Sequence, residues 1–227
     1  LLTGSEDHHV KLLHMRSDSC PAEAGKNAMS CLSKTQTEGG ARSLVAIGNL
    51  EPHIAAVRAS RMLLSPDESY VLIVTAGGQL SVHVSAWHVL PGRGDGNLHG
   101  LQESLAAFSL RETAQDHRAL SIDVMACKGD QDGPFVAVAG DSQGYLTAFD
   151  LRIVKSGDMP SAYSEHECVG LHNLEDSPVL SLRLQSCSGG TLVCAGNTKG
   201  DIHVLQLRYD SLNRSATFAP LHKLAQA

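Results

Sequence analysis

Imidazole and thiol side chains are the groups in this chain best suited to metal binding, and they are abundant: 12 His and 6 Cys among 227 residues. Zinc needs three or four such ligands converging, and short-spaced pairs usually announce them. The nearest pair is His166-x-Cys168, and no companion pair is spaced to meet it; His8-His9 stands alone. Cys20, Cys31, Cys127, Cys168, Cys187 and Cys194 contain no CxxC, and Cys127 and Cys194 fall on apolar runs. They are expected to be reduced, small core residues rather than disulfide partners. Neither a metal nor a cofactor is expected. His53 and His117 each stand just before an alternating run, where a buried hydrogen bond tying local structure together is the expected role.

Catalytic groupings are equally sparse. The chain holds no GxSxG elbow, no Walker loop and no HExxH. Gly92-Arg93-Gly94-Asp95-Gly96 has neither the preceding strand nor the following helix of a phosphate cradle, so it reads as a loop. Glu6-Asp7, Asp130/Asp132 and Glu175-Asp176 fall in turns and read as solvated charges. Asp123, with His53 and His117 nearby, is too little for a hydrolytic centre, so no enzymatic activity is expected. A net charge of −6 opposes autonomous nucleic-acid binding, which needs a basic stripe. Arg58, Arg61, Arg93, Arg111 and Arg118 are scattered, and the few aromatics form no stacking set.

The elements that would position these residues come from a repeat. LLTGSEDHHVKLL (1–13), PFVAVAGDSQGYLTAFDLR (134–152) and TLVCAGNTKGDIHVLQLR (191–208) share one plan: an apolar run, a small residue and Gly, a polar turn, an alternating strand. YVLIVTAGGQLSVHVSAWHV (70–89) is a distorted copy. Upstream lie further strands at 53–65, 117–127 and 177–186, and weaker ones at 101–110, 166–174 and 217–224. No long helical periodicity competes. Four strands per unit predict the blades of a β-propeller. The fold class expected is therefore all-β, an incomplete propeller of about three and a half blades, divided near 1–50, 51–110, 111–174 and 175–227. Residues 16–50, 91–100 and 153–165 read as inter-strand loops, the first ending in a short strand at 43–47. Too few blades for a closed ring, and a start inside a hairpin, suggest a fragment of a larger propeller protein. No apolar run is long enough to cross a membrane as a helix, and a cytoplasmic location is expected.

The blades resemble WD repeats, with the signature dipeptide eroded to Phe149-Asp150 and Trp87 lacking its Asp. More specifically, TAGGQLSVHVSAWHV (75–89) followed by the run from His117 to Arg152 resembles the C-terminal region of the WD-repeat tRNA-methylation cofactors, and residues 1–13 fit the preceding blade. Residues 177–208 resemble only a generic blade. The resemblance implies a non-catalytic scaffold subunit. Its partner would be an FtsJ-like tRNA 2′-O-methyltransferase, which binds the methyl donor and modifies the ribose of the anticodon wobble nucleotide. tRNA would be met through the complex, with the partner supplying most of the affinity. Loops entering the innermost strands are the expected contacts, and Arg58, Arg118 and Lys199 the candidate residues. The alternative is a WD-repeat adaptor in a signalling, ubiquitin-ligase or trafficking complex.

Overall fold

Alternating Val, Ile, Leu and Thr, broken by Gly-containing turns, commit this chain to antiparallel strands. The computed structural model describes residues 2–4, 10–17, 42–49, 56–65, 70–77, 81–89, 101–110, 117–127, 135–155, 162–188 and 190–225. Sheet 1 contains β1 (Leu2–Gly4), β2 (Val10–Ser17) and β3 (Arg42–Asn49). Sheet 2 contains β4 (Val57–Leu64), β5 (Tyr70–Gly77), β6 (Ser81–Val89) and β7 (Leu101–Leu110). Sheet 3 contains β8 (Ala119–Ala126), β9 (Phe135–Asp141), β10 (Tyr145–Lys155) and β11 (Ala162–Asn173). Sheet 4 contains β12 (Val179–Cys187), β13 (Gly190–Asn197), β14 (Ile202–Asp210) and β15 (Ser215–Leu224).

Each sheet is an antiparallel meander in chain order. β8 packs against β4 on one side and β12 on the other, and β11 lies against β7 and β15. First strands therefore line the inside and fourth strands the outside, the plan of consecutive propeller blades. The fold is an incomplete, all-β propeller, and among the described residues no helix is long and apolar enough to cross a membrane.

The loop expected over 153–165 is largely strand. Ile153, Val154 and Lys155 pair in register with Ser164, Tyr163 and Ala162, so the β10–β11 hairpin stays zipped well past Arg152. β-Branched and aromatic residues on both arms explain the extension.

Irregularities repeat as faithfully as the strands. The pairing of each first strand with the second is bulged at Val57/Ala59, Ala119/Ser121 and Val179/Ser181. A second bulge, between third and fourth strands, recurs at Ala86/Trp87, Ala148/Phe149 and Val204/Leu205. Bulges at fixed positions raise the local twist that successive blades require. The turns between second and third strands are closed alike. Asp141 Oδ1 accepts the Gln143 and Tyr145 amides at 2.9 and 2.8 Å, and Asn197 Oδ1 accepts those of Lys199 and Asp201 at 3.0 Å each. Gly144 and Gly200 sit at φ +93° and +83°, which L side chains rarely adopt.

Strand β9 shows how the core is built. All seven of its residues are buried, because alternate side chains serve different interfaces. Phe135, Ala137 and Ala139 join Tyr70, Leu72 and Val84 of sheet 2, whereas Val136 and Val138 join Leu182, Leu184 and Val193 of sheet 4. Burying each such aliphatic side chain contributes about 1.5–3 kcal/mol. Gly140 marks a close approach of sheet 4: a Cβ there would lie 2.6 Å from both Ser121 Oγ and Val179 Cγ1. Gly140→Ala is therefore expected to destabilise the protein by about 1–3 kcal/mol, measurable by denaturant unfolding. An unchanged midpoint would show that sheet 4 is not seated so closely.

Candidate interaction site

The entering ends of the first strands and the turns between second and third strands share one end of consecutive sheets. Backbone pairs lock them together: Ser142 N–H donates to the Arg118 carbonyl at 2.9 Å, and Thr198 N–H to the Pro178 carbonyl at 3.1 Å. His117 Nδ1 lies 2.8 Å from Asp141 Oδ2, a carboxylate whose side chain is 2 % exposed, and the imidazole stacks on Tyr145. The structural role expected for His117 is thus observed. Arg118 is exposed beside it, and Arg58 is exposed at the bulge that opens β4. Lys199 occupies the β13–β14 turn, where its Nζ donates to the Glu175 carbonyl at 3.3 Å. All three candidate residues therefore lie at the same end of successive sheets, Lys199 with its ammonium already engaged.

Along the inside, the position two residues beyond each first-strand bulge is charged: Arg61, Asp123 and Arg183. Asp123 is 3 % exposed. Its Oδ1 accepts Arg61 Nε at 3.1 Å and its own neighbour Val124 N–H at 3.0 Å; its Oδ2 accepts the Leu184 amide at 2.7 Å, with Arg183 Nη1 at 3.7 Å. One buried carboxylate thereby joins three adjacent first strands. Both of its oxygens are engaged by protein partners.

A cleft of about 410 Å³ opens at the same end as Lys199, between the end of β11, the start of β14 and the end of β15. His172, Glu175, His203, His222 and Lys223 line it. Lys223 Nζ bonds Glu175 Oε2 and lies 3.2 Å from Asp201 Oδ2. The ammonium holds the Glu175 carboxyl, and with further help from Asn197 the Asp201 carboxyl, below the usual range, and its own pKa rises in return. Glu175, Asp201 and His203 bring donor atoms within 4.8 Å of one another, a spacing that a metal would accept. Two features oppose it. Lys223 already supplies the positive charge. Asn197 Oδ1 is taken by two backbone amides, so its Nδ2 faces His203 Nε2 at 3.4 Å and leaves the ring proton on Nδ1. The cluster reads as an ion-pair latch for β15. Glu175, expected to be merely solvated, is one of its members.

His172 adds a pH dependence to this latch. Burial, then the neighbouring His203, pulls its pKa below the ordinary imidazole value. The neutral form is favoured when folded, so the associated stability is complete above about pH 6.5 and is lost as pH falls through the lower folded value. The melting temperature should fall between pH 7.5 and 5.5, and His172→Gln should reduce the slope. Identical slopes for both proteins would rule out this assignment.

The cysteines depart from expectation. Burial, reinforced by Asp150, pushes the Cys127 thiol up to about 11, consistent with a core role. Cys168 and Cys194, however, are exposed, because the sheet surfaces carrying them are uncovered. His8, His9, Cys20, Cys31, His53, Gly92–Gly96, Asp130 and Asp132 lie outside the described residues, as does the His166 side chain.

No protein-family model and no curated protein matches the sequence. Solved structures do. The WD40 domain of SCAP from fission yeast superposes with a TM-score of 0.50 at 12 % identity, covering 98 % of this chain and 48 % of that one. Sqt1 from Chaetomium thermophilum gives a TM-score of 0.45 at 10 % identity, covering 75 % and 36 %. The Cps50 (Swd1) β-propeller domain gives 0.38 at 14 %, covering 82 % and 67 %. The chain thus spans about half of the SCAP domain and little more than a third of Sqt1. At such identities the likeness concerns the fold alone, and that fold is the WD40-type β-propeller.

Proposed function

We propose, from a WD40-type propeller fold, that this chain belongs to a non-catalytic scaffold subunit that supports 2′-O-methylation of the tRNA wobble ribose by an FtsJ-like methyltransferase. What supports the proposal is the order and wording of residues 75–89 and 117–152, which resemble the C-terminal region of the WD-repeat tRNA-methylation cofactors. The side-chain chemistry is compatible with it. Asp123, Asp141 and Asp150 are buried and committed to arginine, histidine or backbone partners. The end of the sheets that carries Arg58, Arg118 and Lys199 is the surface we assign to the methyltransferase or to tRNA phosphates held in the complex. Backbone contacts of that kind are sequence-independent and salt-sensitive. A cytoplasmic location follows from the same reading.

Arg58→Glu combined with Arg118→Glu should weaken wobble-ribose methylation while leaving the unfolding midpoint unchanged, since both side chains are exposed. Undiminished methylation with the double variant would remove these residues from the contact surface. Recovery of a ligase or kinase instead of the methyltransferase in a native pull-down would favour a general adaptor.

A further inference from the structure

Arginine stands three residues before serine at four places in the chain, ending at Ser19, Ser121, Ser186 and Ser211. One broad class of protein kinases selects this spacing, and such kinases need an exposed acceptor whose backbone can be drawn out of the fold. Ser19 lies outside the described residues. Ser121 is 4 % exposed, and Ser186 is laddered to Thr191 inside sheet 4. Among the described serines of this pattern, Ser211 alone lies in an exposed turn, the one joining β14 to β15. Arg208 is exposed, with Nε donating to Gln206 Oε1 at 3.3 Å, and Leu212, the residue after the acceptor, is 92 % exposed. The recognition elements are therefore accessible together.

Cations surround the same turn. Arg152 crosses the sheet 3–sheet 4 junction and places Nη2 2.8 Å from the Ser211 carbonyl, with its side chain 31 % exposed. Arg214 ends the turn. Both guanidinium groups spend Nε on one buried carboxylate, Asp150, so two cations share a single anion. The carboxylate before Ser211 is taken up by the turn itself: Asp210 Oδ1 accepts the Leu212 and Asn213 amides at 2.9 and 3.2 Å, and Oδ2 accepts Asn213 Nδ2 at 2.7 Å. Positive charge is in surplus beside Ser211.

We propose that Ser211 is a phosphorylation site for an arginine-directed protein kinase, and that Arg152 receives the phosphate. In the transfer, the bond between the γ-phosphorus of ATP and its bridging oxygen breaks and a bond from Ser211 Oγ to that phosphorus forms. The hydroxyl proton passes to the kinase's catalytic base, and ADP leaves. The product carries about −1.5 to −2 charges at pH 7 and three strong acceptor oxygens, beside a guanidinium already positioned at the same residue. It ties the β14–β15 turn of sheet 4 to β10 of sheet 3, at the end of the sheets opposite Arg58, Arg118 and Lys199. The inference rests on the turn and its cations, and holds whichever partner the scaffold serves.

The experiment incubates the intact, folded protein with ATP and a purified kinase selective for Arg-x-x-Ser, maps the phosphate by peptide mass, and titrates it by phosphorus NMR. Ser211 should be modified in the folded protein. Its second ionisation should lie at least about half a pH unit below the value of about 6 usual for phosphoserine, and return to that value in concentrated urea. Arg152→Gln should leave Ser211 a substrate and remove most of that difference; the urea comparison stands by itself if this variant fails to fold. Phosphate on other serines but not on Ser211, or on Ser211 only after unfolding, overturns the site. A Ser211 phosphate that titrates alike in folded and unfolded protein overturns Arg152 as its receiver.

Discussion

Replacing Asp123 with alanine should lower the unfolding free energy by about 3 kcal/mol, the largest single-residue loss expected on the inner strands. The side chain is 5 % exposed, so its desolvation is offset only by its partners. Removing it orphans the Leu184 amide inside the sheet 3–sheet 4 junction and leaves Arg61 without its carboxylate. Arg61 is 37 % exposed and recovers part of its hydration, so the backbone amide dominates the cost. Asp123→Asn keeps an acceptor for that amide and should recover about half of the loss. Urea unfolding of the two variants decides it. An alanine variant within about 0.5 kcal/mol of the parent would show that Asp123 does not join the strands.

Asp150 should rank beside it. The carboxylate is fully buried on the face of β10 turned toward sheet 4. Its Oδ2 accepts Arg214 Nε at 2.8 Å and Arg152 Nε at 3.1 Å, and Arg152 Nη2 continues to the Ser211 carbonyl at 2.8 Å. Burial in the same cluster pushes the Tyr209 phenol up to about 12. Arg214 reaches Asp150 from a backbone at φ +45°, an uncommon conformation for a non-glycine residue. Asp150→Ala is expected to cost about 3 kcal/mol, because it strands guanidinium groups at a sheet junction. A double-mutant cycle with Arg214→Ala should return a coupling energy of about 1–3 kcal/mol. Additive losses would mean that the two residues act independently and that the junction is held by its apolar contacts alone.

These two carboxylates mark the limit of what could be read from the chain. Strand positions were legible because period-2 alternation and Gly-containing turns are local signals: β7 was anticipated at 101–110 and β15 at 217–224, against Leu101–Leu110 and Ser215–Leu224. The role of His117 was legible from its place before β8. The ion pairs were not, since Arg61 and Asp123 are 62 residues apart, Asp150 and Arg214 64, and Glu175 and Lys223 48. No spacing rule connects residues brought together by stacking sheets. Phe149-Asp150 was recognised as an eroded signature dipeptide, yet the sequence held no sign that its Asp anchors the neighbouring sheet. One retrospective signal existed. Aligning the sheets on Gly140 and Gly196 places Asp123 opposite Arg183, and the bulges add Arg61 to the same line. The exposure of Cys194 was hidden for a different reason, because a strand's alternation shows which residues face outward but not whether a neighbour covers them.

The central claim is that the chain belongs to the scaffold of a tRNA-ribose methyltransferase. Its most direct test measures 2′-O-methylation at the wobble position of tRNA from cells lacking the intact protein, with the full-length gene restored in parallel. The account predicts that methylation there is lost, that it returns on restoration, and that an FtsJ-like methyltransferase co-purifies with the restored protein. Full methylation in cells without the protein would contradict it.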